Sequence, residues 1–137
     1  MNRLVLAAIV LTCSMSAGDI TVEVKNILNT KGKLDIGLYN KEDDSFGDRE
    51  KNFKGAEVAI KGKTVVYKFT DVPDGTYAVA VIHDENKNNK LDRNFFGIPS
   101  EGYGFSNNIR PMFRGANFKE SKFRLNGDKK ITIKMGY

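Results

Sequence analysis

Apolar and polar residues alternate with a period of two along most of the chain, the pattern of half-buried β-strands. Ile20, Val22 and Val24 alternate with Thr21, Glu23 and Lys25, and Leu34, Ile36 and Leu38 with Asp35, Gly37 and Tyr39. Between them Asn26 to Lys33, with Asn29 and Gly32, is expected to turn the chain back. Glu57 to Lys61 and Thr64 to Thr70 are β-prone runs around Gly62-Lys63 and read as a hairpin. Val72-Pro73-Asp74-Gly75-Thr76 is a turn in which Pro fixes φ and Gly accepts a positive one. Tyr77 to His83 is apolar on both faces and is expected to be a central strand. Lys122 to Leu125 and Lys130 to Met135 flank Asn126-Gly127-Asp128, the strongest short hairpin signal. Seven short strands and no long amphipathic helix predict an all-β, antiparallel Greek-key sandwich. The polar stretch from Asn40 to Gly55 is a loop that Phe46 and Phe53 are expected to pin to the body.

The first 17 residues depart from this pattern. Arg3 precedes the apolar run Leu4 to Leu11, and small residues follow at Ser14, Ser16 and Ala17, as in an export signal cut near Ser16 or Ala17. The expected organisation is a signal peptide over 1–17 and one domain over 18–137, periplasmic or secreted. Beyond the leader no run of about 18 apolar residues remains, so no transmembrane segment is expected after cleavage. The only cysteine, Cys13, lies within the leader, and the preceding Thr12 suits a lipid anchor poorly. A mature chain without a thiol has no thiol catalysis, thiolate metal site or disulfide. The formal net charge of +5 is spread among acids, as in Lys41-Glu42-Asp43-Asp44, so no nucleic-acid stripe is expected.

Alternation stops between Asp84 and Asn117. A connection of this length inside a compact domain usually carries function. Its large apolar side chains, Phe95, Phe96, Ile98, Tyr103, Phe105, Met112, Phe113 and Phe118, are expected to be buried and predict an ordered, packed loop. The loop opens with Asp84-Glu85-Asn86-Lys87-Asn88-Asn89-Lys90-Leu91-Asp92. Oxygen side chains at 84, 86, 88 and 92, with the Lys90 carbonyl, match positions one, three, five, nine and seven of an EF-hand-type calcium loop. Asn89 replaces the usual Gly at position six. Phe95 replaces the bidentate Glu at position twelve, so Glu101, Glu85 or water must take its place. Lys87, Lys90 and Arg93 oppose a cation. The same residues also read as an Asx-rich turn held by its own hydrogen bonds.

The following Gly97 to Asn108 interleaves glycines with aromatics but lacks the Gly-Lys-Ser/Thr of a phosphate loop. His83, Glu101, Tyr103, Phe105, Asn107, Asn108 and Arg110 are instead the candidate ligand-binding residues, facing an envelope protein or a glycan. The competing reading of this stretch is a self-packed cover on a sheet edge. No catalytic set stands out: nothing marks Ser106 as a nucleophile for the lone His83. An envelope hydrolase using His83 with loop carboxylates is the rival to a non-enzymatic binding module.

The run His83 to Asn86, Leu91-Asp92 and Gly97-Ile98-Pro99-Ser100-Glu101-Gly102-Tyr103-Gly104-Phe105-Ser106-Asn107-Asn108 resembles the hallmark of an exported bacterial family, domain of unknown function 2141. The resemblance covers the chain from Asp19 to Tyr137; the family's Gly in the Asn-rich loop is Asn89 here. Phe69 to Tyr77 also resembles the corner of transthyretin-like (prealbumin-like) and carboxypeptidase-regulatory-like sandwiches, where a Pro/Gly turn precedes a Tyr that opens a core strand. That likeness implies a fold and no activity.

Overall fold

A computed structural model describes residues 16–87, 101–112 and 114–137. Most of the leader, and Asn88, Lys90 and Asp92 of the expected calcium loop, lie outside the described residues. The strands are β1 (Ala17–Lys25), β2 (Lys33–Tyr39), β3 (Lys54–Ala59), β4 (Val65–Pro73), β5 (Gly75–Asp84), β6 (Tyr103–Phe105), β7 (Phe123–Leu125) and β8 (Lys129–Lys134). They form two sheets, β4-β1-β8 and β3-β2-β5-β6, with β7 also paired to β5. One helical turn, α1 (Phe118–Ser121), is closed by a capping box between Asn117 and Glu120.

Alternation places one row of each strand between the sheets. Ile20, Val22 and Val24 of β1, Leu34, Ile36 and Leu38 of β2, and Tyr77, Val79 and Val81 of β5 meet there with Phe69, Leu125 and Ile133. Each fully buried aliphatic side chain in such a core contributes about 1.5–3 kcal/mol. The central position expected for β5 holds: β2 pairs with one edge, and β6 and β7 with the other.

The expected fold is corrected in three respects. The described residues hold eight strands instead of seven, because the excursion after β5 returns as β6. The sheets are not wholly antiparallel, since β1 runs parallel to β8. A parallel pair needs a long crossover, and nearly the whole chain lies between these two strands. Finally, the expected hairpins do not form. The turns at 26–32, 60–64 and 126–128 carry the chain from one sheet to the other, so β3 pairs with β2 and β4 with β1. Local alternation fixes which side chains face the core; it leaves open which neighbour supplies the backbone partners.

The turn residues tie the two sheets together. Gly127 N–H donates to the Asp74 carboxylate (3.0 Å), Asp19 N–H donates to Asp128 (2.8 Å), and Ile27 N–H donates to the Lys63 carbonyl (3.1 Å). Tyr77 Oη donates to the Pro73 carbonyl four residues back (2.6 Å), bracing the entry to β5.

A second apolar cluster covers the outer face of the larger sheet. Tyr39, Ala78, Ala80, Tyr103, Phe105, Ala116 and Phe118 form it, with Phe46 packed against them. Phe46 stacks edge-on against Tyr39 and Phe118 and pins the 40–53 loop, whereas Phe53, the other expected anchor, remains 40% exposed beside Tyr77. Of the side chains expected to seek burial in the excursion, Tyr103, Phe105 and Phe118 are buried and Met112 is 81% exposed; Phe95, Phe96, Ile98 and Phe113 lie outside the described residues.

Candidate functional site

The end of β5 forms a buried neck from which the excursion leaves and to which it returns. His83 N–H donates to the Gly102 carbonyl (2.8 Å), which extends the Ile82–Tyr103 register by one step. Asp84 and Glu101 therefore come opposite one another; Asp84 is fully buried and Glu101 is 9% exposed. Glu101 Oε2 accepts from Glu85 N–H (2.9 Å), and Lys33 of β2 lies opposite Asp84 on its other side. Of the expected calcium ligands, only Asp84 and the exposed Asn86 are within the described residues. Among those residues no group of three or more His, Cys, Asp or Glu side chains is gathered as a metal would require.

His83 is fully buried and both ring nitrogens are engaged. Nε2 lies 2.7 Å from the Lys31 carbonyl, which can only accept, so Nε2 carries the proton in the neutral ring. Nδ1 then accepts from the Tyr137 hydroxyl (2.7 Å), which itself accepts from Leu28 N–H (3.1 Å). Burial, with the Glu85 carboxylate adding to it, pushes the Tyr137 phenol up and keeps it a donor. Ser106 is not brought to His83. Its hydroxyl accepts from Val79 N–H (2.9 Å) and donates to the Ser121 carbonyl (2.6 Å). Val79 precedes His83 by four strand residues, about 13 Å.

The other expected ligand-binding residues are employed in holding the excursion down. Tyr103 and Phe105 are buried in the outer cluster. Asn107 and Asn108 both adopt left-handed backbone (φ 64 and 53), which Asn tolerates better than most residues. Asn107 Nδ2 donates to the Lys122 carbonyl (2.9 Å). Asn108 Oδ1 accepts from Lys134 N–H (2.8 Å) and its Nδ2 donates to the Thr132 carbonyl (3.2 Å), so one amide imitates a neighbouring strand on the free edge of β8. Arg110 donates to the Tyr103 carbonyl (2.8 Å) and its guanidinium lies 4.2 Å above the Tyr103 ring.

A trough that sequence reasoning missed opens on the same outer face. Register places Gly55, Gly37 and Ala80 side by side across β3, β2 and β5, so this row rises little above the backbone. The next row carries Glu57, Asp35 and Ile82. Tyr39, Arg49 and Asn52 close the remaining sides of a space of about 230 Å³. A Cβ on Gly37 would lie 2.8 Å from the Tyr39 ring, and one on Gly55 would strike the Asn52 amide, so these glycines let both side chains lie flat. Arg49 comes from a 3-10 turn whose N-cap is Asp48, within the loop that Phe46 anchors.

The trough's charges are interlaced. Lys33 Nζ lies 2.7 Å from Glu57 and 3.6 Å from Asp35; Arg49 lies 3.5 Å from Asp35 and also pairs with Glu57. Hydrogen bonds from Lys33 and Arg49 hold the Glu57 carboxyl below its usual range. Burial raises Asp35, with Asp84 and Glu57 adding to it, against the opposing pull of Arg49 and Lys33. The native state therefore binds this proton more readily than the unfolded chain does. Its contribution to stability is fully present below the ordinary aspartate value of 3.8 and is lost as pH rises through the raised folded value. Urea melts of Asp35→Asn across the acid range should lack that component of the pH dependence. Hints of the trough do exist in the sequence: Gly37 and Gly55 occupy outward positions where strands usually carry larger side chains.

Among the described residues the trough lining contains carboxylates, a guanidinium, an amide and a phenol, and no Ser, Thr, Cys or His. Fold and site together define a small all-β module of two packed sheets, with a charged trough on the outer face of the larger one. The chain belongs to the family described as "Uncharacterized protein conserved in bacteria" (DUF2141), whose model matches residues 22–134. No curated protein and no solved structure matches it. No helix among the described residues is long and apolar enough to cross a membrane.

Proposed function

We propose that this chain is an exported, non-enzymatic binding module, a transthyretin-like Greek-key sandwich in which calcium organises the excursion after β5. The observation that carries the calcium component is the opposed, buried pair Asp84 and Glu101 at the neck. Register sets these two carboxyl-bearing residues opposite one another at the mouth of the excursion, and carboxylate oxygens are the ligands calcium takes. Asp84, Asn86, Asn88 and Asp92 would supply side-chain oxygens and Lys90 its carbonyl, with Glu101 in place of the missing twelfth-position carboxylate. The engagement of His83 and Ser106 in structural hydrogen bonds favours binding over hydrolysis. The leader supports a periplasmic or secreted location and an envelope protein or glycan as partner.

Thermal unfolding in calcium tests this reading. A site with Kd of about 10⁻⁴–10⁻³ M stabilises by about 1.4–2.7 kcal/mol at about 10 mM calcium. For a domain of this size that raises Tm by roughly 5–10 °C. Asp84→Asn should remove the response, and magnesium should give little of it. A melt indifferent to calcium would eliminate the metal from the account.

A further inference from the structure

We propose that the trough formed by Tyr39, Arg49, Asn52, Asp35 and Glu57 over the Gly55–Gly37–Ala80 floor binds one neutral carbohydrate residue. This deepens the binding-module reading and rests on it. Its own ground is independent of the neck and of calcium.

Three features select that class of ligand. The first is charge: the lining holds two acids, Asp35 and Glu57, and each pairs with Arg49 of the lining and with Lys33 one register row beyond it, so both acids already have cationic partners and the site suits an uncharged ligand. The second is hydrogen-bonding pattern. Carboxylates accept several bonds each and a guanidinium donates up to five. A pair of neighbouring hydroxyls can donate to Asp35 or Glu57 and accept from Arg49 at once, and the Asn52 amide can do both. Ile82, beside Ala80 on the floor, offers an apolar side for the C–H face of a sugar ring, and the edge of Tyr39 closes the end of the space. The third is size. At about 230 Å³ the space lies below the ~300–1,000 Å³ usual for drug-sized ligands, which suits a single ring or chain terminus. Half-exposed ion pairs add little to stability, and here they are gathered in one concave space.

The test is a titration of the isotope-labelled full chain with methyl glycosides of neutral hexoses and N-acetylhexosamines, read by backbone amide shifts. A uronic acid and a sugar phosphate serve as charged counterparts. The expected result is saturable shifts at Gly37, Gly55 and Ala80 with a neutral glycoside. Arg49→Gln and Asp35→Asn should each weaken binding by about tenfold or more. Asn52→Ala, which leaves the ion pairs and the core in place, should weaken it several-fold and keeps the test informative if a charge variant fails to fold. The proposal is overturned if no neutral glycoside shifts these amides, if the shifts fall elsewhere, if only the charged sugars bind, or if binding survives in Arg49→Gln. A calcium-responsive melt with an empty sugar titration would leave the binding module standing and remove this site alone.

Discussion

His83→Ala is expected to lower folding stability by about 3–4 kcal/mol. Two mechanisms add. Removing a fully buried ring leaves a cavity, and large-to-small core changes of this kind cost about 2–5 kcal/mol. The Lys31 carbonyl and the Tyr137 hydroxyl also lose their shared partner, and because both residues reach solvent each lost bond adds only about 1 kcal/mol. Collapse of the site and water entry keep the total below the sum. Tyr137→Phe removes only the hydroxyl and should cost about 1 kcal/mol. Urea melts with unchanged m-values would read both. A catalytic histidine would behave differently, since active-site residues are commonly replaced at little expense in stability. A neutral or stabilising His83→Ala would therefore return the hydrolase reading to the front.

Gly32→Ala should be nearly as damaging, by about 3 kcal/mol or more. Gly32 has φ +65, and a Cβ there would fall on the Asp84 carbonyl oxygen and within 2.7 Å of the Glu85 Cα. Both obstacles are backbone at the neck, so no flexible side chain can swing aside. Gly127→Ala provides the control. Its φ is +79, yet nothing lies within 4 Å of the added methyl, so only the left-handed backbone penalty of about 1–2 kcal/mol applies. The gap between the two variants in chemical denaturation measures how tightly the 26–32 turn is keyed to the neck. Gly32→Ala should also blunt the calcium response, because the displaced groups are those that flank Asp84.

Faces were far more legible in the sequence than partners. The alternation of Ile20, Val22 and Val24, or of Leu34, Ile36 and Leu38, is a direct record of which side chains leave water. The double-sided apolar run Tyr77 to Ile82 likewise announced a strand covered on both faces. The pairing of β1 with β8 could not be read this way, because ladder hydrogen bonds involve backbone atoms common to every residue. Asn-Gly at 126–127 turns the chain as its composition demands, but a turn between sheets and a turn within one use the same residues. The trough escaped notice for a related reason. Arg49 reaches Asp35 across 14 positions of sequence, through a loop whose course is set by Phe46 docking on Tyr39 and Phe118. At Asn107 and Asn108 the sequence suggested ligand contacts, and in the fold those amides bond to β8 and to the end of α1, a structural use that residue type alone does not reveal.

Amide hydrogen exchange of the full chain, with and without millimolar calcium, tests most directly whether the neck of β5 and β6 is the stem of a cation-organised recognition loop. The account predicts slower exchange at Glu85, Asn86 and Lys87 and at Glu101 and Gly102 on adding calcium, with β1 and β8 unchanged. Identical exchange in both conditions, or slowing spread evenly over both sheets, would contradict it.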